Sequence, residues 1–283
     1  MASMKDIKRR KTSIQSTQQI TKAMKLVSTV KLQQAREHAE KTHPYFEYMY
    51  NTVKAMLKSV KDSNNPYIME HESKKKAVIA ISANRGLAGG YNSNLVKEIM
   101  KTVPKEDALI YAIGHKGVEL LETRGYQIKA NYSEVVDAPS YEDATNIARE
   151  VLKVFENDEV GEIYLAYTHF KNTVSYKPQV IKLLPVVMDE FTEEENMSSI
   201  PMNFEPNPDE ALKLIVPKYV TSLLYGGLVE SVASENGARM TAMDSATNNA
   251  EEMINELTLK YNRARQGSIT QELTEIIAGA SAL

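Results

Sequence analysis

The chain has 283 residues, is 42% apolar, carries a net charge of -3 and contains no cysteine. That is enough apolar material for one large or two modest domains, while the missing thiols exclude disulfides, thiolate zinc sites and thiol redox switches. The near-neutral charge gives no argument for nucleic acid. No apolar run reaches the roughly 18 residues of a membrane span, the longest being residues 77–83 and 183–188. The basic N-terminus lacks the apolar stretch of a signal peptide, so a mature, cytosol-facing protein is expected.

Proline marks the boundaries. All ten prolines lie between Pro44 and Pro217, and the Pro-free residues 1–43 and 218–283 both predict helix. Unbroken, the second of these would span on the order of 100 Å. Gly226, Gly227 and Gly237 are expected to bend or interrupt it, each costing about 1 kcal/mol relative to alanine. In the first helix Ile7 and Ile14 are a heptad apart. Ile20, Ala23, Val27 and Val30 continue the three–four spacing after a shift in register. Residues 1–41 hold ten Lys or Arg against three Asp or Glu, whereas residues 239–283 hold four against six. The two helices are therefore weakly complementary in charge.

Between them, strand and helix signals alternate. Residues 77–82, 108–113, 162–168 and 179–184 read as strands. Residues 93–102, 116–124 and 141–157 read as helices. Strands apolar on both faces and separated by helices predict a mainly parallel sheet covered on both sides. Residues 189–210 are acidic and proline-rich, an exposed connection to the last helix.

The last helix carries the clearest pattern. Ala233, Asn236, Met240, Met243, Thr247, Ala250, Ile254, Leu257, Tyr261 and Ala264 recur at alternating steps of three and four. This narrow seam suits packing on one other helix, and the N-terminal helix is the available partner. The expected core is Ile14, Ile20, Val27, Met240, Met243, Ile254, Leu257 and Tyr261. After Ala264 the seam ends, with Ser268 and Gln271 in its next two positions. Ile276 and Ile277 would then face water unless they enter a socket on a partner.

Chemistry-bearing motifs are sparse. Gly86-Leu-Ala-Gly-Gly90 follows the first strand, where an α/β fold can cradle a phosphate. Its spacing is not Gly-x-Gly-x-x-Gly, and no Gly-Lys-Ser or Gly-Lys-Thr follows. A tight turn needing positive φ accounts for it with fewer requirements. The five histidines are scattered and show no metal-ligand spacing. No nucleophile motif and no acid–base pair stands out. The basic N-terminal helix lacks the interleaved aromatics of a nucleic-acid platform and fits an acidic protein partner better.

Five blocks carry a resemblance. Ile269-Thr270-x-Glu272-x-x-Glu275-x-x-x-Gly279-Ala280 is preceded by Tyr261-Asn-Arg-Ala-Arg-Gln266 and Ala238-Arg-Met-Thr-Ala-Met-Asp244. Upstream stand Ile20-Thr-Lys-Ala-Met-Lys-Leu-Val27 and Arg85-Gly-Leu-Ala-Gly-Gly-Tyr-Asn92. Together they resemble the γ subunit of F-type ATP synthases, the central rotor shaft, in its bacterial form. Ala88 stands where that family usually has cysteine.

The resemblance implies an α/β fold class: a long antiparallel coiled coil of N- and C-terminal helices plus a central Rossmann-like α/β domain with a mainly parallel sheet. The expected divisions are a coiled-coil helix over 1–65, the α/β domain over 74–190, an acidic loop over 191–210 and the second coiled-coil helix over 211–283. It also implies a non-catalytic subunit without cofactor or metal, on the cytoplasmic side of the cell membrane. Expected partners are the ring of α and β subunits, the ε subunit and the c-ring. Ring contacts are expected in three groups: Arg265, Gln266, Thr270 and Glu272 on the upper shaft; Lys22, Met24, Lys25 and Arg239 near the lower mouth; Ile276, Ile277 and Leu283 at the tip. The alternative is a free-standing coiled-coil scaffold with a nucleotide-sensing α/β domain.

Overall fold

A computed structural model describes residues 4–59, 65–173, 175–186 and 207–281. The chain divides into two compact units. One joins residues 1–29 with 239–283, and the other is Val30–Ala238.

The larger unit is built on a five-stranded sheet of order β3-β2-β1-β4-β5. Strand β1 (Lys76–Ile81) pairs in parallel with β2 (Ala108–Ile113) and with β4 (Glu162–Phe170). Strand β3 (Gln127–Asn131) adds in parallel to β2, and β5 (Tyr176–Leu184) runs antiparallel to β4. The sheet is thus mixed at one edge. Side chains alternate between its faces, as the pleat requires. Val78, Ala80, Ile110 and Ala112 meet α2 (Tyr91–Thr102) and α3 (His115–Glu122) through Leu95, Val96, Ile99 and Leu121. Ile79, Ile81, Tyr111 and Ile113 face the other way, into a larger core. That core also holds α4 (Tyr141–Glu156) and parts of the two terminal helices. Helix α4 starts at a capping box. The Ser140 hydroxyl accepts from the Asp143 amide at 3.1 Å, and the Asp143 carboxylate accepts from the Ser140 amide at 2.9 Å, so two helix-start donors are satisfied reciprocally.

The terminal helices run further than proline allows one to expect. α1 spans Met4–Ser59 with Pro44 inside it, and α5 spans Pro208–Ser281 with Pro217 inside it. Pro44 is exposed, so water can solvate the carbonyl that loses its donor. The glycines do not interrupt α5. A Cβ on Gly227 would stand 3.2 Å from a Leu165 methyl and 3.4 Å from an Ile81 methyl. Glycine is there because the helix lies close against the sheet. By length and composition α5 contains one 18-residue window that could cross a membrane, with mean hydropathy 1.2, but 61% of that window is buried inside the protein. Its apolar character is accounted for by the core.

One polar cluster sits on β4. Glu162 is bonded by Lys182 at 2.7 Å, Lys76 at 2.8 Å and the Tyr164 hydroxyl at 3.0 Å. Burial pushes the Glu162 carboxyl up, but the hydrogen bonds from Lys182, Lys76 and Tyr164 outweigh it and bring it down to about 2. A carboxylate with a depressed folded pKa contributes stability that is present above its unfolded pKa and lost as pH falls toward the folded value. Glu162→Gln should therefore cost about 2 kcal/mol at neutral pH by leaving two lysines unneutralised. In urea titrations the gap to wild type should close between roughly pH 4.5 and 2, the Glu unfolded and folded values. A gap that does not change with pH would show that the carboxylate charge is not what stabilises the cluster.

The smaller unit is a two-helix rod of α1 and α5. The Thr21 and Thr247 hydroxyls meet at 2.7 Å, and Lys25 pairs with Asp244 at 2.5 Å. Numbers rise along one helix as they fall along the other, so the pair is antiparallel. On α5 the residues turned inward are Met240, Met243, Thr247, Ala250, Ile254, Leu257, Tyr261 and Ala264, with Met243 only 4% exposed. On α1 the inward series is Ile7, Lys11, Ile14, Gln18, Thr21, Lys25 and Ser28, an unbroken alternation of four and three.

The expected shift in register is therefore absent. Ile20 and Val27 are 60% and 58% exposed and do not belong to the core. Polar side chains take the seam instead, with Thr21 and Ser28 buried and Lys11, Gln18 and Lys25 half-buried. Thr21 donates to the Gln18 carbonyl at 3.0 Å, and Thr247 to the Met243 carbonyl at 2.7 Å. Each hydroxyl carries one proton, so at any instant one donates across to the other while the other donates to its own helix carbonyl.

Candidate partner-contact surface

Helix α5 outlasts its partner. Counting from the Thr21–Thr247 contact, Met4 at the described start of α1 lies level with Ala264. Beyond that level every residue from Ile269 to Ala280 is exposed. Ile269, Leu273, Ile276 and Ile277 are 49%, 55%, 67% and 67% exposed. Four large aliphatics on one bare helix end are a marker of an interaction surface.

Helix geometry sorts this end into two adjacent stripes. Arg265, Ile269, Glu272 and Ile276 follow one another along the first; Gln266, Thr270, Leu273 and Ile277 follow along the second. Arg265 and Gln266 are both exposed. The Thr270 hydroxyl donates to the Gln266 carbonyl at 2.9 Å, so its donor is used within the helix while its lone pairs stay available. The Glu272 carboxylate has only a long 3.5 Å contact from the Ser268 hydroxyl. Ile269 and Leu273 were not singled out in the sequence, though the same helical spacing places them beside Ile276 and Ile277. Leu283 lies outside the described residues.

The lower group is less uniform. Lys22 is exposed, Met24 is half-buried, and Arg239 is half-buried. Lys25 occupies a seam position, and its ammonium is paired with Asp244 of the other helix at the partly exposed edge of the rod. Beside Lys22 and Met24, α1 also presents Ile20, Leu26 and Val27 to solvent, with Leu26 68% exposed. Of these, Ile20 and Val27 were read as seam in the sequence because they are apolar.

The Gly86–Gly90 turn takes up positive φ at Leu87 (62°) and Gly89 (56°). Its role is to hold α5. Ala88 and Tyr91 pack with Ala83 and Ala238, and the Tyr91 hydroxyl donates to the Ser231 carbonyl at 3.2 Å. Ser231 and Ser234 bond the Thr168 backbone at 3.3 and 2.9 Å. The carboxyl ends of β1 and β4, where an α/β fold takes a nucleotide, are covered by the protein's own helix.

A family profile described as ATP synthase matches residues 3–283. The ATP synthase gamma chain of Lachnoclostridium phytofermentans is 62% identical over the whole of both chains. The ATP synthase gamma chain, sodium ion specific, of Acetobacterium woodii is 42% identical over 99% of this chain and 98% of that one. Among solved structures, a chain of the Euglena gracilis mitochondrial ATP synthase in an OSCP/F1/c-ring assembly superposes with a TM-score of 0.70. It is 17% identical and covers 99% of this chain and 94% of its own. A chain of the Tetrahymena thermophila mitochondrial ATP synthase central stalk and c-ring gives 0.59 at 24% identity, covering 80% and 99%. The fold is that of a central-stalk subunit of an ATP synthase. The chain belongs to the ATP synthase gamma family.

Proposed function

We propose that this chain is the rotor shaft of an ATP synthase, turning inside a ring of alternating α and β subunits and joining it to the membrane-embedded c-ring. The observation that carries this reading is the end of α5, where every residue from Ile269 to Ala280 is exposed and the aliphatic side chains lie in solvent. Ile276 and Ile277 belong to the tip held in an upper bearing. Arg265, Gln266, Thr270 and Glu272 make polar contacts with ring loops. Lys22, Met24 and Arg239 meet the lower mouth, where Lys25 contributes through its pair with Asp244. The sheet unit engages the ε subunit and the c-ring. The complex sits peripherally on the cytoplasmic side of the cell membrane.

The chain itself carries no catalytic site, and its contribution is mechanical. Each angle of an asymmetric shaft favours a different conformation of each surrounding β subunit. That is a coupling free energy between shaft angle and nucleotide affinity, and it is reciprocal. Turning the shaft releases ATP, and hydrolysis turns the shaft. Sparse polar contacts suit this task, because a large apolar interface would trap one angle.

Replacing Arg265 and Gln266 together by alanine tests the assignment. Coupled ATP turnover of the purified complex should fall roughly ten-fold, about 1.4 kcal/mol, the worth of one or two polar contacts. Subunit stoichiometry should not change. Unaltered turnover in a fully assembled complex would remove these two residues from the coupling surface.

A further inference from the structure

Side chains from two adjacent turns of α5 grip the backbone of β4 where that strand leaves the sheet. Pairing between β1 and β4 stops at Ala80 with Ala166, two residues short of Thr168. On its other side Thr168 stands opposite Pro178, which has no N–H to give. Helix α5 supplies bonds instead. The Ser231 hydroxyl accepts from the Thr168 amide at 3.3 Å, and the Ser234 hydroxyl donates to the Thr168 carbonyl at 2.9 Å. The Glu230 carboxylate accepts from the Phe170 amide at 3.3 Å and lies 2.7 Å from Nδ1 of His169. The Tyr91 hydroxyl donates in turn to the Ser231 carbonyl at 3.2 Å, so the helix backbone is held as well.

The same stretch of α5 is enclosed, and its side chains are small. Ser231, Ala233, Ser234, Gly237 and Ala238 are all buried. A Cβ on Gly237 would stand 3.3 Å from the Thr173 carbonyl. Small side chains offer few knobs to interlock with a sheet. Apolar burial is non-directional, so a smooth stripe resists lifting off the sheet more than it resists rolling on it. Hydrogen bonds need distance and angle together. Bonds from Glu230, Ser231 and Ser234 to three consecutive residues of β4 fix the angle of α5 about its own axis.

We propose that Glu230, Ser231 and Ser234 are positioning residues for rotary coupling, forming the seat through which torque passes between the sheet unit and α5. The inference rests on the rotor reading. Helix α5 is continuous from Pro208 to Ser281, so an angle fixed at Ser231 is carried along the helix by its own hydrogen bonds. A shaft under load stores work as twist, and a seat that let α5 roll would lose that twist as slip.

The test uses the complex of this chain with its ring, purified intact and fixed to a surface by the ring. The chain has no cysteine, so Lys97→Cys, at an exposed position on α2, accepts a single bead on the sheet unit. With hydrolysis arrested by a non-hydrolysable ATP analogue, the angular variance of the bead reads the torsional stiffness between ring and sheet unit. Ser231→Ala/Ser234→Ala should widen that variance at least two-fold. Glu230→Ala should widen it too, whereas Glu230→Gln, which keeps an acceptor for the Phe170 amide, should not. Glu162→Gln weakens the same sheet unit away from the seat and should leave the variance as in wild type. If Glu162→Gln widens it as much as the serine pair does, general loosening is the cause and the seat is overturned. A wild-type variance in the assembled double-serine variant also overturns the seat and leaves the rotor reading standing. If the double variant does not assemble, Ser234→Ala alone is held to the same comparison with Glu162→Gln. A bead on the wild-type complex that never turns on ATP sinks the rotor reading, and the seat with it.

Discussion

Met243→Lys is expected to lower the stability of the rod by about 3 kcal/mol, the cost of burying an ammonium without a partner. Met243 is 4% exposed in the seam, among Thr247, Met240 and the α1 positions around Thr21 and Lys25. The nearest acid is Asp244, and Lys25 already holds it at 2.5 Å. A second lysine would compete for that carboxylate and add like-charge repulsion. The stem of a lysine can carry its charge outward, but the helices must then part at the position where two hydroxyls now meet. Hydrogen exchange on the assembled complex would read the effect locally. Amides of residues 4–29 and 239–264 should open faster, while those of β1, β2 and β4 stay as slow as in wild type. Unchanged protection in the rod would show that position 243 is not buried in the working complex.

Gly227→Leu should act on the other unit with comparable size, about 3 kcal/mol, through overpacking. A single added carbon at Gly227 already stands within 3.4 Å of Leu165, Ile81 and Tyr167. Leu165 and Ile81 are buried in the core, and Tyr167 packs against it. A four-carbon side chain would push α5 off the sheet and disturb the Ser231 and Ser234 bonds to Thr168 one to two turns on. Here the sheet amides should lose protection and the urea midpoint should fall. Gly226→Ala is the control, since its added carbon would meet only the Phe46 ring at 3.6 Å, an ordinary contact. If both variants matched wild type, close approach would not be the reason for glycine at 227.

The parts of this molecule legible in the sequence are those where burial and hydrophobicity coincide. The α5 seam from Met240 to Ala264 could be read because most of its residues are apolar, and its loss after Ala264 could be read for the same reason. Of the α1 seam only Ile7 and Ile14 could. Its inward positions include Lys11, Gln18, Thr21 and Ser28, so a search for apolar spacing slid onto Ile20, Ala23, Val27 and Val30. In this two-helix contact polar side chains fill many of the inward positions, and hydropathy alone does not encode that.

The sheet shows the same division. β1 and β2 are buried on both faces and announce themselves as apolar runs. β3 is a five-residue edge strand whose burial alternates, too short and too mixed to stand out. The direction of β5 depends on its pairing with β4 and leaves no mark in composition. Pro44 and Pro217 misled because proline forbids only one helical hydrogen bond each, and a long helix with many neighbours can absorb the loss.

The Thr21–Thr247 contact joins residues 226 apart in sequence. Closing so long a loop has a large entropic cost when the chain between is unfolded, and contacts of such separation form slowly. Once the sheet unit has folded, that intervening chain is no longer a loose loop, and the two ends need only zip together. The rod is therefore expected to form after the sheet unit. A chain whose sheet has failed to fold presents two separate, half-apolar helices, which is a form that a proteolytic system can recognise before any faulty shaft reaches a motor.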